Sequence, residues 1–197
     1  MFVDEIKLSV QSGAGGSGSV SFKKTSSKSS PSGGSGGQGG SVIITVNDEL
    51  NDLSHIISNS SLKAENGTDG NKNFQNGKKG KDLIIEVPKG TKIKVGNEVY
   101  ADLHENKSSF IVLEGSKAGR GNYDLISKRV PNPQFCEHGE KRNKIEIKLT
   151  YSIYSDLVIV GLPNAGKSTL ITKLTNSKAQ IADYEFTTTS PNLGILN

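Results

Sequence analysis

The sequence has no tryptophan, a single cysteine at Cys136, six prolines, and aromatic residues at only 6% of its 197 positions. One cysteine excludes an internal disulfide, and His138 beside it finds no second ligand at metal-binding spacing, so Cys136 reads as a structural or exposed thiol. Beyond Phe22 and Phe74 few aromatics stand among the lysine-rich stretches, so base stacking is not strongly indicated. Apolar runs are short as well. The opening MFVDEIKLSV is broken by charges where a secretory leader needs an unbroken apolar core, and no stretch approaches the ~18 apolar residues of a membrane span. A cytoplasmic protein without a membrane span is the expectation. Hydrophobic residues make up 32% of the chain, too little for a conventional apolar core to organise all of it.

Glycine is what the sequence has in excess, 23 residues. They recur at intervals of three: Gly13 and Gly16, Gly15 and Gly18, Gly33, Gly36 and Gly39 beside Gly34, Gly37 and Gly40, then Gly67 and Gly70, Gly77 and Gly80. Three is the period of a polyproline II helix, in which every third residue can face a neighbouring backbone. A flexible linker has no such interval, so packed polyproline II segments are the favoured reading. Between the glycines lie short β-branched runs at 42–46, 83–87, 93–95, 110–113 and 145–149, with turns expected at Val87-Pro88-Lys89-Gly90 and Val95-Gly96-Asn97. One weak helix is expected near Asn51–Ser58. Residues 1–154 therefore read as an all-β domain with glycine-rich excursions.

The net charge of +4 belongs to this part, because 155–197 carries three lysines and three carboxylates. Lys23, Lys24 and Lys28 cluster in one expected loop and Lys72, Lys78, Lys79 and Lys81 in another. Solvated loops and contact with a polyanion such as RNA both fit these clusters.

At Asp156 the pattern changes. Leu157-Val158-Ile159-Val160 suits a buried parallel strand, and Lys167 to Leu174 suits a helix with Leu170, Ile171 and Leu174 on one face. Between them Gly161, Leu162, Pro163, Asn164, Ala165, Gly166, Lys167 and Ser168 satisfy GxxxxGK[ST] at every position. Glycines let backbone N–H groups wrap phosphates, the helix N-terminus adds partial positive charge, Lys167 reaches the β- and γ-phosphate oxygens, and Ser168 offers its hydroxyl to Mg²⁺. Such a loop does not choose between GTP and ATP. Phe186, Thr187, Thr188, Thr189 and Ser190 place hydroxyls where GTPases carry a threonine that senses the γ-phosphate; a threonine-rich turn is the other reading.

Together, MFVDEIKLSVQSGAGGSGSVSF, the glycine triplets of 33–40, VPKGT at 87–91, ADL at 101–103, GRGN at 119–122, GLPNAGKSTL, and IADYEFTT with PNLG resemble the Obg family of bacterial GTPases over nearly the whole chain. The resemblance implies a mostly β N-terminal domain over 1–154, a barrel bearing six packed polyproline II segments. The start of an α/β P-loop GTPase domain follows over 155–197. It further implies GTP and GDP as ligands and Phe186–Ser190 as the switch segment. Mg²⁺ would be held by Ser168 and by Thr188, the second threonine of the family's FTT pattern. Family roles implied are Mg²⁺-dependent GTP hydrolysis, assembly of the large ribosomal subunit with its rRNA and proteins as partners, and growth or stress control. Asn164 stands where potassium-stimulated GTPases place an asparagine that helps hold K⁺ beside the phosphates; an asparagine without this effect, as in many P-loops, is the other reading. A monomer is expected.

The sequence also departs from the family. No DxxG or NKxD motif follows Gly194, so no catalytic residue is assigned and the chain is expected to be a C-terminally truncated piece, inactive alone. Asn143-Lys144-Ile145-Glu146 imitates NKxD, but it ends in glutamate within a strand pattern and is read as coincidence. Two classes of function follow: a GTP hydrolase, or a non-catalytic module that binds RNA or the ribosome.

Overall fold

Alternation decides the first strand. In EIKLSVQ the residues Ile6, Leu8 and Val10 are buried while Glu5 and Lys7 face out, the two-residue period of a half-buried strand. The computed structural model describes residues 3–25, 28–56, 60–96, 98–104, 108–152, 157–162 and 165–175. Among these are β1 (Glu5–Gln11), β2 (Phe22–Thr25), β3 (Lys28–Pro31), β4 (Val42–Val46), β5 (Ser61–Lys63), β6 (Leu83–Val87), β7 (Thr91–Val95), β8 (Glu98–Leu103), β9 (Ser109–Leu113), β10 (Ile145–Tyr151) and one helix, α1 (Lys167–Leu174). The chain divides into two compact units, Asp4–Ser152 and Ile153–Asn197 with Met1–Val3.

In the first unit the strands form a five-stranded sheet in the order β5-β1-β10-β7-β8, a three-stranded sheet β6-β4-β9, and the two-stranded ribbon β2-β3. The inward residues of the two larger sheets, among them Ile6, Leu8, Val10, Val42, Ile44, Ile85, Val87, Ile93, Ile147 and Leu149, are the apolar interior. All five expected strands are present, and β6 leads to β7 through a turn at Lys89–Gly90. The helix expected near Asn51–Ser58 is absent over its described part. Residues 52–56 form a turn, because the Asp52 carboxylate accepts from the Ser54 N–H and hydroxyl at 3.0 and 2.7 Å, a local bond that competes with helical hydrogen bonding. β1, β2, β3, β5 and β8 are not among the expected strands; in β1 and β8 charged outward residues interrupt the apolar pattern.

The glycine stretches form an ordered array. Gly13, Gly16 and Ser19 donate to the carbonyls of Gly40, Gly37 and Gly34 at 2.8–3.0 Å. Gly34, Gly37 and Gly40 in turn donate to Asn71, Thr68 and Glu65, while Gly36 and Gly39 donate to Gly119 and Ser116. Gly15 and Gly18 reach Glu140 and Glu137. Each stretch thus sends hydrogen bonds to a given neighbour at every third residue, the polyproline II period. The stretches tied this way lie at 12–19, 32–41, 64–71, 75–82, 115–122 and 137–140. Side chains complete two rows that backbone carbonyls do not: Asn66 and Asp69 accept from the N–H groups of Ala14 and Ser17 at 2.9 and 2.7 Å, and Asn76 from that of Ser35 at 2.9 Å. The polar residues Asn66, Asp69 and Asn76 are therefore structural, since they satisfy backbone donors of half-buried residues. Their signal in the sequence is an Asn or Asp directly before a glycine, at 66, 69 and 76.

Candidate nucleotide-binding site

α1 begins where Gly166 takes left-handed geometry, φ 78° and ψ 12°, a conformation that a Cβ disfavours by about 1–2 kcal/mol. From there Leu170 N–H donates to the Gly166 carbonyl at 2.9 Å, and Ala165 N–H to Leu162 at 3.3 Å, closing a tight loop onto the helix. The helix start has no side-chain cap and no acidic residue in its first turn. Its N-terminal partial positive charge is thus not offset by its own side chains, the arrangement that binds phosphate. Lys167 Nζ donates to the Leu162 carbonyl at 2.6 Å, so the ammonium lies across the loop. The Thr172 and Thr175 hydroxyls bond back to the Ser168 and Ile171 carbonyls at 2.8 Å each.

Gly161 is informative for what it does not touch. A methyl group there would meet the Lys167 stem, with Cδ at 3.6 Å, and Ala165 Cβ at 3.8 Å, both in ordinary contact. Nothing in the described protein requires glycine at this position, whereas a phosphate lying on the loop backbone would.

The structure brings Gly161, Leu162, Ala165, Gly166, Lys167 and Ser168 into one loop-helix element. Pro163 and Asn164 lie outside the described residues, as do Phe186, Thr187, Thr188, Thr189 and Ser190. The run Leu157–Val160 differs from expectation. It is not a strand, and Leu157, Val158 and Val160 are 63%, 69% and 86% exposed. A parallel strand exists only with ladder partners and covering helices, and the described residues supply neither. For the same reason Leu170 and Leu174 of α1 are exposed.

Of the expected loop lysines only Lys72 lies in a turn, at 72–74; the others do not. Lys23 and Lys24 lie on β2 opposite Ser30 and Ser29, with Lys28 on β3, all exposed. Lys78, Lys79 and Lys81 lie on the array, Lys79 paired with Asp82 at 3.2 Å. Exposed Phe22 is on the same ribbon, and exposed Phe74, whose N–H donates to Ser32, meets Tyr123 edge to face at 4.8 Å. Asn143 and Lys144 precede β10, and Glu146 lies within it opposite Ser9. Cys136 is half-buried. Among the described residues no acidic, His and Cys group is placed to hold a metal, and no helix is long and apolar enough to cross a membrane.

Residues 3–153 match the family model GTP1/OBG, and residues 156–197 match that of the 50S ribosome-binding GTPase family. Among curated proteins, GTPase Obg of Nautilia profundicola is 44% identical over 200 residues, covering 100% of this chain and 56% of that protein. GTPase Obg of Finegoldia magna is 42% identical over 99% of this chain and 47% of its own length. That of Karelsulcia muelleri is 40% identical over 100% of this chain and 61% of its own. The chain spans about half the length of the curated relatives it matches.

Proposed function

Because the chain belongs to the GTP1/OBG family, we propose that residues 155–197 open a G domain that binds GTP and GDP, and that 1–154 is a docking domain under its control. The observation that carries the nucleotide reading is the uncapped, acid-free start of α1 with the Lys167 ammonium lying across a loop whose Gly161 has room for a methyl group. In this reading the N–H groups at the helix start and Lys167 hold the β- and γ-phosphates. The hard oxygen of Ser168, joined by Thr188, suits Mg²⁺, which when bound neutralises charge developing between those phosphates. The carbonyl now taken by Lys167 marks how near its ammonium lies to the loop backbone where phosphates would sit.

The docking reading rests on the exposed lysines of β2 and β3 beside Phe22, Phe74 and Tyr123. A cationic surface with apolar contacts suits RNA, and the large ribosomal subunit is the partner proposed, in its assembly and in growth control. A non-catalytic ribosome- or RNA-binding module is the second reading, favoured by the same surface.

Thermal melting with nucleotide separates the two. With its natural flanking sequence, the protein is expected to be stabilised by GTP with Mg²⁺, and Lys167→Ala to abolish the shift, since a ligand that binds only the native state raises its stability. No shift in the unmodified protein would leave the module alone. GTP turnover of the protein with its natural flanking sequence, measured in K⁺ and in Na⁺, tests Asn164: faster hydrolysis in K⁺ is expected, and equal rates would remove K⁺ from the site.

A further inference from the structure

The outer face of the five-stranded sheet carries an arrangement that folding alone disfavours. The registers place Lys7 of β1 directly opposite Lys148 of β10, and Lys148 directly opposite Lys94 of β7. Three lysines therefore stand in one row across three adjacent strands, about 4.8 Å from one strand to the next. Like charges directly opposite each other destabilise a sheet. Glu5 is hydrogen-bonded to Lys148 at 2.6 Å and also feels Lys7 and Lys94, which together with Lys148 hold its carboxyl below the usual range. Asp102 is engaged by Lys92 at 3.5 Å. Among the described residues neither Lys7 nor Lys94 has a carboxylate within ion-pair distance.

We propose that the Lys7–Lys148–Lys94 row is a second anion-binding track that lies along an RNA phosphodiester backbone, apart from the lysines of β2 and β3. The inference deepens the docking reading above and rests on it. Protein interfaces are depleted of lysine at their centres, whereas phosphate contacts are made by lysine and arginine without regard to sequence. A polar row one residue wide fits a strand of phosphates better than it fits a packed protein surface. A passing phosphodiester would also relieve the repulsion that the strand register imposes.

The test uses the 197-residue chain and a short blunt RNA duplex, with affinity followed by anisotropy between about 50 and 200 mM salt. The double variant Lys7→Gln, Lys94→Gln leaves the Glu5–Lys148 pair intact. It is expected to bind several-fold more weakly, with a salt slope lower by about 2, near one per lysine removed, and to melt at the same temperature or higher. Lys7→Arg with Lys94→Arg should keep the wild-type slope. An unchanged slope in the Gln variant overturns the track. So does a drop in melting temperature that the Arg variant shares, which would make the lysines structural, or a matching loss of binding to poly-glutamate, which would make the partner an acidic protein. The variant Lys23→Gln, Lys24→Gln, Lys78→Gln, Lys79→Gln tells the two surfaces apart: if it alone loses binding the track fails, and if it binds like the wild type while the sheet variant does not, the ribbon reading fails and the track stands.

Discussion

A methyl group added at Gly37 would overlap the backbone carbonyl of Lys78, and no flexible side chain stands there to give way. Gly37 also donates to Thr68 and accepts from Gly16, at 2.8 Å each, so it cannot shift without breaking two rows of the array. Gly37→Ala is expected to destabilise the chain by about 3 kcal/mol, at the upper end of what overpacking costs, as read by urea denaturation. Gly161→Ala is the contrast. It should leave stability within about 0.5 kcal/mol, as for substitutions away from packing features, yet reduce the stabilisation by GTP in the protein with its natural flanking sequence. Loss of folding in Gly161→Ala would show that this glycine serves the fold and not phosphate. The two glycines look alike in the sequence. Spacing marked Gly37 as one of a series and the motif marked Gly161, but only the neighbouring carbonyl tells which one the fold cannot replace.

The stretch 115–122 is joined to 137–140 by backbone bonds from Glu137 to Arg120 and from Glu140 to Lys117, and by the Arg120 side chain forked onto Glu137 at 2.9 and 2.7 Å. That fork, with the Arg120 N–H added, holds the Glu137 carboxyl at about 2, below its ordinary 4.5. Asp82 is lowered first by the Ser41 N–H, Asp52 by the Ser54 hydroxyl and Glu5 by Lys148. Each of these groups binds its proton less readily folded than unfolded. Their contribution is present above the unfolded pKa and is lost as pH falls through the folded one. Melting temperature is therefore expected to hold near neutrality and to fall between about pH 4.5 and pH 2, and Arg120→Gln should flatten part of that fall because Glu137 returns toward 4.5. A flat profile down to pH 2 would remove these carboxylates from the balance. At this scale the strands of 42–46 and 83–87 were legible because both their faces carry apolar residues. The pairing of 12–19 with 137–140 was not, because the period of three says how a stretch bonds and not which neighbour it meets.

Chain order and spatial order conflict across the first unit in a way that sets its folding. β10 is the last strand of this unit in sequence, yet it lies at the centre of the five-stranded sheet, between β1 and β7. β1 pairs with it along Glu5 to Val10, and Ile147 and Leu149 are buried. The array repeats the pattern, since 12–19 donates to 137–140 across more than a hundred residues. The closure entropy of such long loops must be met before the contacts that reward it form, so folding on the millisecond-to-second scale is expected. A chain ending at Ser152 keeps β10 and every array bond described above, and should melt in one cooperative transition. A chain ending at Lys144 lacks β10, leaving β1 and β7 each unpaired on one side and Leu8 and Ile93 without their cross-strand neighbours Ile147 and Leu149, so it should show no cooperative transition by circular dichroism. If the shorter chain folds, the central strand is dispensable, and the glycine array would have to be the element that organises the sheet.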